Sequence, residues 1–355
     1  MSRFAERQRV FFVEEPVYDE GPERMESVEA LPNLFVCTPH LRSETTDVEP
    51  IQRALLERFL REREVHRPLA WFYTPMALPL IANIDAPLVV YDCMDELSAF
   101  RGAPPRLVER EKQLFARANL VFTGGQSLFE AKRAQHAAIF PFPSSVDAAH
   151  FRAARTPGQE PDDQRDIGRP RLGFFGVLDE RLDVELLGSL ARARPNYEFV
   201  MIGPIVKISD SDLPRLPNIH YLGPKSYADL PAYIAGWQAA LMPFALNEAT
   251  RFISPTKTLE YMAAGKPIVS TAIRDVVSPY GEAGLVRIAD AASFPAAVDA
   301  ALATDSASHQ QACDQALEKT SWERTWAAMN ELIARVARNR SLANCERGTD
   351  SCSTI

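Results

Sequence analysis

The sequence predicts an α/β protein whose parallel, doubly wound sheets fall into two domains. Three observations predict it. Short apolar runs alternate with amphipathic helical stretches along almost the whole chain, which is the pattern of parallel strands joined by helical crossovers. The alternation stops once, over residues 153–170, where the chain turns polar and proline-bearing and reads as a linker. The 355 residues are 46% hydrophobic, enough apolar material for two medium cores.

In the first half, strands are expected at 10–13, 34–37, 70–73, 88–91 and 120–123, with helices near 51–63, 106–118 and 127–135. After the linker, strands at 172–175, 199–202, 219–222, 239–242 and 268–270 alternate with helices at 184–192 and 227–236 and with a motif helix before 265. Ser226 with Asp229 and Thr320 with Glu323 have the spacing of a capping box, which marks a helix start. The second box opens a long amphipathic helix over about 322–338. Residues 341–355 are polar with no apolar period and read as a disordered tail.

Charge and composition exclude several classes. The net charge is −8 and the isoelectric point about 5.4, so a nucleic-acid partner, which asks for a basic face, is not expected. Five widely spaced cysteines contain no Cys-x-x-Cys pair, and the six histidines show no metal spacing. An odd cysteine count suits a reducing compartment, and the expected location is the cytoplasm. No uncharged apolar run approaches the roughly 18 residues a membrane span needs. Membrane contact is expected to be peripheral at most, at the inner face.

The densest signal is Ser254-Pro255-Thr256-Lys257-Thr258-Leu259-Glu260-Tyr261-Met262-Ala263-Ala264-Gly265-Lys266-Pro267. Ser254 reads as N-cap and Pro255 as the first helical residue. Gly265 ends the helix and Pro267 prevents it resuming. A helix N-terminus offers free N–H groups and partial positive charge, and Lys257 adds a full one; together they suit phosphate. Glu260 follows on the same face, where an acidic acceptor suits ribose hydroxyls. The spacing also allows an ordinary i,i+3 surface pair.

This segment resembles the donor-site helix of GT-B-fold glycosyltransferases of the family-4, or group-1, type, where a Glu-Ala-Met-Ala-Ala-Gly-Lys-Pro-like run binds a nucleotide sugar. Phe140-Pro141-Phe142-Pro143-Ser144-Ser145-Val146-Asp147, followed by Phe151, is similar to that family's signature leading out of the N-terminal domain. Gly173-Phe174-Phe175-Gly176 matches the loop opening the C-terminal domain. The resemblance runs from about Arg9 to about Arg338. It implies a GT-B fold, two Rossmann-like domains facing a cleft. Residues 1–152 would bind acceptor, 153–170 link, 171–320 bind the nucleotide sugar, and 321–340 form a helix crossing back to the first domain, ahead of the 341–355 tail. It implies transfer of a sugar from a UDP- or GDP-sugar to a hydroxyl of a saccharide or lipid-linked acceptor, in cell-surface polysaccharide or glycolipid synthesis, with no cofactor beyond the donor. No Asp-x-Asp metal motif stands directly at a strand end in the C-terminal half. The leaving charge is expected to meet Lys257, Arg251, Arg181 and the helix end instead of a metal.

Around this helix, Gly176 lets backbone approach a phosphate, Arg181 is placed to clamp a diphosphate, and Ser254, Thr256 and Arg251 flank the same anion site. A plain strand-to-helix turn with a surface arginine has the same spacing. One position departs from the family. The glutamate that lies eight residues before the helix glutamate is Phe252 here, so the retaining mechanism does not transfer directly; Glu248 is near but out of register. In the first domain, Tyr91-Asp92-Cys93-Met94-Asp95-Glu96 sets three carboxylates at a strand's carboxyl end, where open sheets bind ligands. Crowding there would raise a pKa toward that of a general base, with Asp92 and Asp95 ahead of Glu96. The same residues also suit turn and capping roles.

Two other classes share these features. A nucleotide-sugar 2-epimerase has the same fold, and a non-catalytic nucleotide-sugar-binding subunit would tolerate Phe252. Residues 1–7 read as the second half of a helix with no strand before it, whereas the resembling enzymes open with a strand and a cleft-facing loop. The expectation is a start about 20–30 residues upstream, or a damaged form that is poorly soluble or inactive.

Overall fold

The computed structural model describes residues 1–156 and 158–347. The N-terminal half runs α1 (Ser2–Ala5), β1 (Val10–Val13), β2 (Val17–Asp19), β3 (Arg24–Leu31), β4 (Leu34–Arg42), α2 (Val48–Glu62), β5 (Leu69–Phe72), β6 (Leu88–Cys93), α3 (Leu107–Arg117), β7 (Leu120–Thr123), α4 (Gln126–Lys132) and β8 (Ile139–Pro141). α5 (Ala148–Arg152) and α6 (Asp162–Arg165) lead into β9 (Arg171–Phe175), α7 (Val184–Ala193), β10 (Glu198–Ile202), β11 (Ile219–Gly223), α8 (Leu230–Ala235), β12 (Ala239–Met242), α9 (Thr256–Ala263), β13 (Ile268–Ser270), α10 (Arg274–Val276), β14 (Arg287–Ile288), α11 (Phe294–Leu302), α12 (Ser306–Leu317) and α13 (Trp322–Arg347).

The C-terminal sheet is wholly parallel, in the order β11-β10-β9-β12-β13-β14. That is the 3-2-1-4-5-6 order of a dinucleotide-type fold, with its switch point between β9 and β12. Chains leaving those two strands diverge to opposite faces and open a crevice at their carboxyl ends. Every residue of β9 and β12 is buried, which their covered faces require. At the sheet centre the indole of Trp237 lies flat on Gly173, where a Cβ would fall inside the ring. The Trp237 Nε1 donates to Gln164 in the 153–170 segment at 2.9 Å. That segment is therefore fastened to the C-terminal domain by a buried polar anchor, not left as a free loop.

The N-terminal half departs from one continuous parallel sheet. β5-β6-β7-β8 form one parallel sheet, and β1-β4-β2 form another, with β3 antiparallel on β4. The facing edges of β1 and β5 flank a cavity of about 420 Å³ lined by Phe4, Phe11, Leu56, Leu60 and Trp71. β3 escapes a period-2 reading because only Met25 and Val28 among its central residues are large and apolar, and Val28 is exposed.

α13 carries the chain back to the first domain. Met329, Leu332, Ile333 and Val336 cover Leu88, Val90, Leu120 and Phe122, and Phe4 packs against Trp71 and Trp326. Its cap is Ser321, whose Oγ accepts from Arg324 N–H at 3.2 Å, rather than Thr320. The helix extends through Arg347, past the expected end of ordered structure; residues 348–355 of the expected tail lie outside the described residues. Among the described residues no helix is long and apolar enough to cross a membrane.

Gly173→Ala is expected to cost roughly 1–3 kcal/mol through overpacking against Trp237. Urea unfolding checks it; an unchanged midpoint would show that the indole can move aside freely.

Candidate active site

The site is built on the contact between the end of β9 and α9. The buried Tyr261 hydroxyl accepts the Phe175 N–H at 3.0 Å, fastening the helix to the strand end. One residue on, Gly176 takes φ +135°, and a Cβ there would fall on the Lys257 side-chain end. The ammonium of Lys257 thus occupies the space a side chain would need, and lies 5.4 Å from the Phe174 ring centre. Gly203, at the end of β10, sits on the Gly176 backbone in the same way. α9 ends in a Schellman motif: Gly265 has φ +69°, its N–H bonds Met262, and Lys266 N–H bonds Tyr261.

The N-terminal cap differs from expectation. Pro255 occupies the cap position with ψ 119°, no side chain caps the helix, and Thr256 is the first helical residue. Ser254 cannot cap because it is one residue too early. Its carbonyl instead accepts from Ser144 at 3.5 Å, and its Cβ faces Gly125 of the first domain. The first amides of α9, at Thr256 and Lys257, leave the helix end facing the β9–β12 crevice.

Lys257 and Glu260 are half-buried and form no ion pair with each other among the described residues, so they are not an ordinary surface pair. Burial pushes the Lys257 pKa down; Glu260 opposes that shift, and Arg181 adds to it. Burial pushes Glu260 up to about 7, against the pull of Lys257. Its Oε2 is occluded without a hydrogen-bond partner. Arg181 is held by Asp179, with Nε at 3.0 Å and Nη2 at 2.7 Å from its carboxylate oxygens, so two of its three nitrogens are already committed. Arg251 is exposed, 3.5 Å from Glu248 and over the Phe252 ring. A cavity of about 890 Å³ lies at the other end of α9 by Gly265 and Lys266 and is lined by none of these residues.

Across the cleft, the two candidate bases part company. Asp92 is 4% exposed, on the side of β6 that α13 covers, and accepts from Trp71 Nε1 at 3.1 Å. Burial raises its pKa to about 7, with the Trp71 hydrogen bond and the chain's amino terminus opposing the shift. Asp95 is half-buried beyond the strand end; burial raises its pKa and the Arg181 charge opposes that shift. Glu96 is committed to Lys132 at 2.8 Å. Asp92 is thus tied to Trp71, while Asp95 feels the charge of Arg181 from the second domain.

The domains meet at residues that spacing alone did not single out. Phe252 packs into the N-terminal core beside Phe72 and Leu128, which accounts for an aromatic residue at that position. Asp275 accepts the Ser127 N–H at 3.0 Å, and so the second domain caps α4 of the first. Gly125 makes room for that carboxylate. Phe100 lies 5.6 Å from the Arg181 guanidinium and 4.8 Å from the Lys207 ammonium. No local pattern could have marked these, since each contact spans more than 80 residues.

Gly176→Ala is expected to evict Lys257 and to force a strained φ, lowering affinity for nucleoside diphosphates by at least about tenfold. Calorimetry with UDP and GDP checks this, with equal affinity as the contrary result. A second expectation concerns pH. The folded pKa of Asp92, about 7, lies above its ordinary 3.8. Between those values the folded protein holds a proton that the unfolded chain releases. This contribution to stability is complete below pH 4 and is lost as pH rises through 7. Asp92→Asn should therefore stabilise the protein at pH 8 by roughly 2–4 kcal/mol and leave it unchanged at pH 4. Denaturant melts at the two pH values test the sign.

Comparisons with known proteins bear on this geometry. The family described as group 1 glycosyl transferases matches residues 169–304. TuaH of Bacillus subtilis (strain 168), a protein assigned to teichuronic acid biosynthesis as a glycosyltransferase, is 27% identical over 222 residues, covering 56% of this chain and 54% of that one. The chain thus spans about half the length of that relative. Sucrose-phosphate synthase from Thermosynechococcus elongatus superposes with a TM-score of 0.71 at 13% identity, over 95% of this chain and 91% of that one. Anabaena HepE in complex with UDP and glucose gives 0.63 at 15% identity, over 85% and 86%. An E. coli structure titled trehalose-6-phosphate, bound with UDP-2-fluoro glucose, gives 0.67 at 13%, over 91% and 92%. At those identities the superpositions speak for the fold alone. The fold of the chain is therefore GT-B, and its residues 169–304 are similar to the group 1 glycosyl transferases.

Proposed function

We propose that this protein transfers a glycosyl group from a nucleoside-diphosphate sugar to a hydroxyl of a saccharide or lipid-linked acceptor, in the synthesis of a cell-surface polysaccharide or glycolipid. The observation that carries the reading is the seat of Lys257 over Gly176 at the start of α9, with the unpartnered Glu260 one turn deeper. The diphosphate sits against the α9 amides and the Lys257 ammonium, and the ribose hydroxyls donate to Glu260. The acceptor enters from the first domain, and Asp95 takes the proton of its hydroxyl. Positive charge at Lys257 and the helix end meets the departing diphosphate, so no metal is expected in the step. UDP is the favoured nucleotide, because two similar folds were solved with UDP or a UDP-sugar. The teichuronic acid assignment of the Bacillus relative supports the polysaccharide role. The setting is the cytoplasm, with at most peripheral contact at the inner face of the membrane.

The test is a calorimetric and kinetic comparison of three variants. Glu260→Ala is expected to weaken UDP binding about 10- to 100-fold with the fold intact. Lys257→Ala should lower turnover about 10²- to 10³-fold, more than it raises KM. Asp95→Asn should abolish most transfer while leaving donor binding in place. Unaltered UDP and GDP affinity in Glu260→Ala would remove that residue from the site, and full transfer by Asp95→Asn would remove the base.

A further inference from the structure

Glu180 has no part in the reading above, and its state calls for an explanation. It follows β9 by five residues, in the same loop as Gly176, Asp179 and Arg181. Its side chain is only 9% exposed. Both carboxylate oxygens are occluded, and neither has a hydrogen-bond partner. The nearest cation, the Lys207 ammonium, lies 3.5 Å from Oε1. Buried carboxylates are ordinarily paired and hydrogen-bonded, since dehydration costs several kcal/mol otherwise.

The surroundings show what Glu180 faces. Lys207 follows the end of β10, as Glu180 follows the end of β9. From the other domain, Phe100 lies over both Lys207 and Arg181, and Arg101 Nη1 donates to the Lys207 carbonyl at 3.3 Å. Asn247 Nδ2 donates to the Glu180 carbonyl at 2.9 Å, tying the loop to the turn that leads toward α9. Glu180 thus sits past the carboxyl ends of adjacent strands, in the same loop as Gly176, with Phe100 against its neighbours Lys207 and Arg181. Its unused acceptor capacity suits a ligand that brings donors of its own and no negative charge.

We propose that Glu180 reads the sugar of the donor: its two oxygens accept hydrogen bonds from adjacent hydroxyls of the glycosyl group, which displaces Phe100 from Lys207 and Arg181. This rests on the donor site proposed above. It makes Glu180 a specificity residue that acts on the sugar and not on the nucleotide. It also explains why a carboxylate is kept dry and without a hydrogen bond here, since water-filled or hydrogen-bonded oxygens would compete with the sugar.

The experiment is calorimetry on the full chain with UDP, UDP-glucose and UDP-galactose, and with GDP and GDP-mannose, for the wild type, Glu180→Gln and Glu180→Ala. The expected result is an unchanged nucleoside-diphosphate affinity and a sugar-nucleotide affinity at least about tenfold weaker in both variants. Melting temperature supplies the second readout. Glu180→Gln should melt at the same temperature or higher, because an unsatisfied buried charge is removed. Equal loss for sugar nucleotide and bare diphosphate, or no loss for either, overturns the proposal. A lower melting temperature with unchanged affinities also overturns it, leaving a structural ion pair with Lys207. Failure of the wild type to bind UDP or GDP overturns the donor site itself and this proposal with it, whereas selective retention of sugar affinity in the variants overturns this proposal alone.

Discussion

The site depends on how closely α9 can approach the end of β9. That approach is set by two groups with no room to spare: the Tyr261 hydroxyl on the Phe175 N–H, and the Lys257 side chain in the place of a Gly176 Cβ. The first fixes the helix height, and the second fixes where its positive charge stands. Because β9 and β12 flank the switch point of the sheet, the same contact aims the α9 amides into the crevice between them. Tyr261, Met262 and Ala263 are all fully buried, so the helix cannot shift without opening the core.

The second constraint is the docking of the two domains. Phe252 is inserted in the N-terminal core, and Asp275 caps α4 from across the boundary. Both lie on segments that flank α9, one before it and one after β13. Whatever holds α9 therefore also holds the first domain in place. Phe252 is the aromatic anchor at this junction.

The protein keeps several charged groups out of water. Asp92 and Glu260 are both raised to about 7 by burial, Lys257 is lowered by it, and Glu180 has no hydrogen bond. Each costs folding free energy that a hydrophobic side chain would not. The well-packed core around Trp237, Phe174 and Leu241 offsets that cost. Glu260 and Glu180 keep carboxylate oxygens buried without a hydrogen bond, the state of groups whose acceptor capacity is left for a ligand.

Much of this was legible along the chain. The strands β7, β12 and β13 stand at the residues their apolar runs indicate, because a strand buried on both faces needs little beyond such a run. Gly265 ends α9 as the sequence suggests, since only glycine takes φ +69° there without strain. The helix over 256–263 and the glycine turn after β9 could also be read, because each is made by residues near one another in the chain. Local spacing misplaced the cap at Ser254 and missed β3. It also could not show that Asp92 is buried against Trp71, a contact that only the folded sheet and α13 create. The roles of Phe100, Phe252, Asp275 and Glu180 were decided by tertiary structure alone. Each is defined by a partner from a distant segment, and the free energy of such a contact is set by burial and distance, which exist only after the chain has folded.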